Sequence, residues 1–230
     1  MTTTPATRAF TDEAVPDEIV RSLLDAARFA PSGGNRQAWH VIVLEDPGVR
    51  ARIRDLYVLG WREYMAQLDA GLLPFAPGAD GRWVDPTVDL EEARNTPSPF
   101  EFADHIDQAP VLLLVVLDLS RISVVDGGLD RHSIMGGASV YPFAHNLLLA
   151  ARDAGLGGVM TTVLARQEPA VKELLGIPDS HAIATLIAIG RPLRVITRLQ
   201  RAPIESFTTV DRYDGPTFGA DRSQAPADPA

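Results

Sequence analysis

The residue types best suited to holding a small molecule gather in Pro31-Ser32-Gly33-Gly34-Asn35-Arg36-Gln37-Ala38-Trp39. Glycines lack the Cβ that keeps a backbone away from a ligand, and Ser32, Asn35 and Gln37 offer donors and acceptors around it. Chemistry alone leaves two readings open: a polar ligand loop, or a turn that stops a helix while Trp39 plugs the core.

Other chemistries are pruned by what the 230 residues lack. Without cysteine there is no disulfide, thiolate nucleophile, iron–sulfur cluster or cysteine-bound zinc. Lys172 is the single lysine and lies in a charged, helix-like stretch, which argues against Schiff-base chemistry. His40, His105, His132, His145 and His181 are never three or four apart, so they form no helical metal pair, and no metal site is expected. Gly155-Leu156-Gly157-Gly158-Val159-Met160 places Met160 where a dinucleotide fingerprint needs its third glycine, and it lies between a helix and a strand in the wrong order. There is neither a P-loop nor a G-x-S-x-G elbow. A net charge of -9 is the wrong sign for a nucleic-acid or anionic-membrane binder.

The elements that must position the loop follow from periodicity. Residues 17–30 carry Ile19, Leu23 and Ala27 on one face and predict an amphipathic helix ending at the Pro31 loop. A strand is expected from Trp39 to Leu44, then a helix from Pro47 towards Leu68. Residues 71–108 are too long for an ordinary connection and are the lid candidate. The apolar run 111–117 predicts a central strand buried on both faces. A helix over 140–151, a strand over 157–163, a helix over 168–175 and a strand over 182–189 follow, and regularity fades from Arg191. The whole chain, 1–230, reads as one α+β domain with a C-terminal arm over about 191–230. The run 111–117 is far short of the ~20 residues of a membrane span, and the N-terminus has no secretory pattern. The expectation is a soluble cytoplasmic protein.

Several stretches, in order, resemble the FMN-dependent nitroreductase family. Arg8-Ala9-Phe10 with Val15 matches its opening, and the 31–39 loop matches its Pro-Ser-x-x-Asn-x-Gln-Pro-Trp pattern, with Ala38 in place of the proline. The resemblance continues at Asn146-Leu147-Leu148-Leu149-Ala150-Ala151, Gly155-Leu156-Gly157, Glu173-Leu174-Leu175-Gly176-Ile177-Pro178, Ile189-Gly190-Arg191-Pro192 and Arg198-Leu199-Gln200-Arg201-Ala202-Pro203-Ile204-Glu205. It implies a mixed, largely antiparallel sheet sandwiched by helices, and a homodimer that exchanges C-terminal arms and binds FMN at its interface. By position it places Arg8 near the flavin pyrimidine edge and puts Ser32, Gly33, Asn35 and Gln37 against the cofactor. Thr161 and Thr162 fall near flavin N5 and O4, and Arg201, helped by Arg198, falls at the phosphate. The implied activity is ping-pong electron transfer from NADPH or NADH to nitroaromatic, quinone or related small aromatic acceptors, with no side-chain acid or base assigned.

Two departures bear on that expectation. Thr4, Pro5 and Ala6 stand where many relatives carry a basic pair and a serine for the phosphate, which leaves two alternatives: the C-terminal arginines carry more of the phosphate binding, or FMN is held less tightly than usual. Thr161-Thr162 resembles the deiodinase branch, which implies reductive dehalogenation as an alternative, yet residues 45–107 contain no lysine of the kind that branch uses to bind its substrate. A flavin-binding protein without turnover is the third alternative.

Overall fold

Seven consecutive aliphatic side chains cannot face water on either side, and the computed structural model, which describes residues 3–219, buries all of them in strand β2 (Val111–Asp118). Strand β1 (Trp39–Val43) pairs with one edge of β2, β4 (His181–Gly190) with the other, and β3 (Gly157–Thr161) closes the order β1-β2-β4-β3. All three pairings are antiparallel. Among the described residues the parallel component is one bridge, between Ala6 and Gly158, so the N-terminal segment supplies it.

Helices seal both faces. Leu113, Val115 and Ile187 pack with α1 (Asp17–Ala27) and α5 (Val140–Asp153). Leu112, Leu114 and Val116 pack with α2 (Pro47–Asp69), α4 (Glu101–Asp104) and α6 (Glu168–Leu175). That split is the period-2 alternation of a strand. The segment expected as a lid folds as α3 (Leu90–Asn95), α4 and irregular chain laid along α2: Trp61 stacks on Phe100 at 4.5 Å, and Arg62 Nη1 donates to the Arg94 carbonyl at 2.7 Å. No helix among the described residues is long and apolar enough to cross a membrane.

Several boundaries differ from the periodicity by one to three residues, and two of the differences have an identifiable cause. The first helix stops at Ala27 instead of reaching Ala30, because the residue before Pro31 is pushed out of the helical region. β3 stops at Thr161 instead of running to Val163: Thr162 turns into a 3-10 helix (Val163–Gln167) that drives Leu164 into the α2-side core. From Arg191 the described chain is irregular, with Leu193, Val195, Phe207 and Tyr213 exposed, a short 3-10 turn at Ile204–Ser206 and an antiparallel bridge between Thr209 and Thr217. The last part of the expected arm, 220–230, lies outside the described residues.

Gly60 is where α2 meets the 3-10 helix most closely, since a Cβ there would sit 2.6 Å from the Val163 carbonyl oxygen. Gly60→Ala gains ~1 kcal/mol of helix propensity but overpacks a rigid backbone contact, which costs ~1–3 kcal/mol. The expected outcome is a lower urea midpoint; an unchanged or higher one would mean that the two elements separate freely.

Candidate functional site

The end of β3 uses its two threonines differently. Thr161 Oγ1 lies 3.0 Å from the hydroxyl of Tyr57, which α2 carries into the core. Its carbonyl accepts from Thr185 Oγ1 at 2.9 Å. Thr185 is itself fully buried in β4, beside a register shift opposite Val115 and Val116, the kind of irregularity that re-aims a side chain. Thr161 is thus committed inward, and Thr162, one residue on and out of the strand, is exposed.

Arg8 is carried by the N-terminal segment, which runs along the start of β3 and the chain that leaves β4. The Thr7 N–H donates to Gly158 O at 2.9 Å, Thr11 N–H to Arg191 O at 2.9 Å, and Leu193 N–H to Ala9 O at 3.1 Å. These bonds fix the backbone and leave Arg8 exposed, lining an open cavity of about 360 Å³ with Phe10, Phe100, Phe102 and His105. Arg8 is close enough to act on Tyr57, whose phenol is pushed up by burial and pulled partly back by the Thr161 hydrogen bond and the Arg8 charge.

The 31–39 loop forms a separate group. Gly34, Asn35 and Gln37 have φ of 60°, 53° and 48°, a left-handed region that is strained for the two side-chain-bearing residues by ~1–3 kcal/mol each. The loop closes on itself through Gln37 N–H to Ser32 Oγ at 3.1 Å and Gln37 Nε2 to Asn35 Oδ1 at 3.1 Å. Residues 119–139 brace it: Arg36 Nη1 donates to Ser123 Oγ at 2.9 Å, Arg121 Nη2 to Arg36 O at 2.5 Å, and Gly33 N–H to Ser139 Oγ at 3.3 Å. The bracing segment turns on buried Asp126, which accepts from Ile134 N–H, Ser133 Oγ and Arg131 Nη1 at 2.7–2.9 Å, and these donors hold its carboxyl well below the usual range. Both features weighed for this loop coexist. Trp39 stacks on Phe143 at 4.7 Å and Ala38 is buried, while Gly33, Asn35 and Gln37 remain exposed and Ser32 is half-buried.

Arg198 and Arg201 form a third group on the arm, both exposed, with Arg201 Nη1 donating to the carbonyl of Gln200. Arg8 is thus on the β3 side of the sheet, within electrostatic reach of Tyr57, whereas the Ser32 loop belongs to the β1 edge, and the cavities around Arg8 and Ser32 share no lining residue. Tyr57, Thr185, Asp126, Arg36 and Arg121 have no counterpart in the sequence reading. Asp126-Gly127-Gly128 is the one with a local cue, an Asp-Gly turn that a carboxylate could organise.

Tyr57→Phe should cost ~1 kcal/mol at neutral pH through loss of one hydrogen bond. The folded state holds this phenolic proton more tightly than the ordinary value of 10.0, so wild-type stability falls as pH rises past that value and on through the raised one. Urea unfolding as a function of pH should show the variant without this alkaline loss; equal losses in both would contradict the burial argument.

The sequence pattern of the Nitroreductase family matches residues 3–191. Iodotyrosine deiodinase 1 of Rattus norvegicus is 29% identical over 191 residues, covering 83% of this chain and 60% of that protein. The chain thus spans less than two thirds of its deiodinase relative. A putative NADH dehydrogenase/NAD(P)H nitroreductase of Archaeoglobus fulgidus is 27% identical over 187 residues, covering 80% of this chain and 79% of that protein. The solved structure of the NADPH:FMN oxidoreductase from Vibrio harveyi, complexed with NAD+, has a TM-score of 0.64 at 18% identity, covering 92% of this chain and 75% of the other, a likeness of fold. With the pattern running from the N-terminal segment past the end of β4, the chain belongs to the nitroreductase family.

Proposed function

We propose that the protein is an FMN-dependent oxidoreductase that acts as a homodimer and passes electrons from NADPH or NADH to nitroaromatic, quinone or related aromatic acceptors. The observation that carries this reading is the division of labour at the β3 end, where Thr161 is turned inward and Thr162 is left exposed, with Arg8 also exposed and within electrostatic reach of Tyr57. The exposed donor set fits FMN. A guanidinium suits the acceptor edge of the flavin pyrimidine, a hydroxyl suits N5, and the arm's Arg198 and Arg201 suit a phosphate bidentately. Bound FMN would supply hydride acceptance from the nicotinamide and its onward delivery to the acceptor. Arg8 at the pyrimidine edge would put positive charge where negative charge develops on reduction.

The Ser32 loop stands apart from Arg8 within one chain, so a partner chain would supply it to the same cofactor. The exposed Leu193, Val195, Phe207 and Tyr213 of the arm supply apolar surface for that partner. A deiodinase-like reductive dehalogenation is the second reading, favoured by the exposed Thr162 after an inward Thr161 and by the deiodinase relatives.

Heat-released cofactor should run as FMN on reversed-phase chromatography, and steady-state assays with NADPH or NADH should reduce menadione. FAD, or no flavin after reconstitution, would sink the proposal; turnover of halotyrosines but not quinones would select the second reading. In fluorescence titrations of apoprotein with FMN, Arg201→Ala should weaken binding more than Arg8→Ala, each lost charged bond being worth ~1.5–3 kcal/mol. Equal or reversed losses would mean that the phosphate sits elsewhere.

A further inference from the structure

Glu63 is the one fully buried carboxylate among the described residues, and none of the groups placed at the site explains it. Its Oε1 accepts from Arg94 Nε at 2.5 Å and from Gln167 Nε2 at 3.4 Å, and its Oε2 accepts from Arg166 Nε at 2.7 Å. The three partners come from two elements, neither of them the helix that carries Glu63. Glu63 lies on α2, Arg94 on α3, and Arg166 and Gln167 on the 3-10 helix that starts immediately after Thr162.

The two arginine arms are held unequally. Arg166 is also covered by the Phe75 ring, 4.8 Å from its guanidinium carbon, and sits over the tight Gly60–Val163 contact. Phe75 is anchored in turn through its N–H to Gln67 Oε1 at 2.9 Å. Arg94 reaches Glu63 from a six-residue helix and is 38% exposed. Removing one partner of a buried charge leaves that charge under-compensated, and the remaining charges rearrange. Loss of the Arg94 arm would leave Arg166 as the remaining guanidinium partner of Glu63.

We infer that Glu63 is a positioning residue that couples the placement of α3, through Arg94, to the turn that presents Thr162, through Arg166. Its significance for catalysis rests on the proposed flavin reading, whereas the coupling itself does not. The test is native-state hydrogen exchange on the protein as purified, comparing wild type, Arg94→Gln and Arg94→Lys. Arg94→Gln should speed exchange by about tenfold or more, not only over 90–95 but also over 163–167. It should shift the absorption band of bound flavin, and Arg94→Lys should restore both readouts. Faster exchange confined to 90–95 overturns the inference, since α3 would then be tethered without influencing the turn. A protein without flavin would refute the proposed function and leave the exchange result decisive for the coupling.

Discussion

Leu112, Leu114 and Val116 pack towards α2 while Leu113 and Val115 pack towards α1 and α5, so neither face of β2 can seat a polar group without stripping it of water. Chemistry is thereby confined to strand ends, sheet edges and the loops that leave them. Thr185 is the exception inside the sheet, and its hydroxyl is spent on the Thr161 carbonyl. That bond and the Tyr57 contact fix the last residue of β3, and the chain then breaks out of the strand at Thr162. The same sealing sends the Ser32 loop to the β1 edge, away from Arg8.

Confinement to edges also explains where strain and buried charge are tolerated. Asn35 and Gln37 hold left-handed backbones because Arg36, Arg121 and Ser139 pin the loop from a segment itself organised by Asp126. Glu63 stays buried because two guanidiniums, each reaching solvent, converge on it. Both clusters stiffen backbone beside an exposed donor set, as a preorganised binding site requires.

Much of this was legible in the sequence wherever one residue type dictates one environment. The run 111–117 could only be a doubly covered strand, and Gly176 followed by Pro178 stopped α6 at Leu175, where periodicity places its end. Thr162 was harder. Thr161-Thr162-Val163 is good strand sequence, and it leaves the sheet because Leu164 has a place in the α2-side core and Gly60 lets the turn come close. Glu63 was illegible for a different reason: in a helix an isolated glutamate reads as solvent-facing, and its two arginine partners lie 31 and 103 residues away. Arg8, Thr161, Thr162, Arg198 and Arg201 were singled out through family resemblance alone, since no local spacing links an N-terminal segment, a strand end and an arm.

The central claim is that one cofactor site draws on Arg8 from one chain and the Ser32 loop from another, and subunit complementation tests it most directly. Chains carrying Arg8→Ala and chains carrying Ser32→Ala with Asn35→Ala would be co-expressed with different tags and the mixed dimer purified. A shared site predicts that the mixed dimer recovers one FMN site of wild-type affinity, because one interface receives both lesions and the other none. If both sites of the mixed dimer bind as weakly as in the parent variants, Arg8 and the Ser32 loop do not meet across subunits, and the account is contradicted.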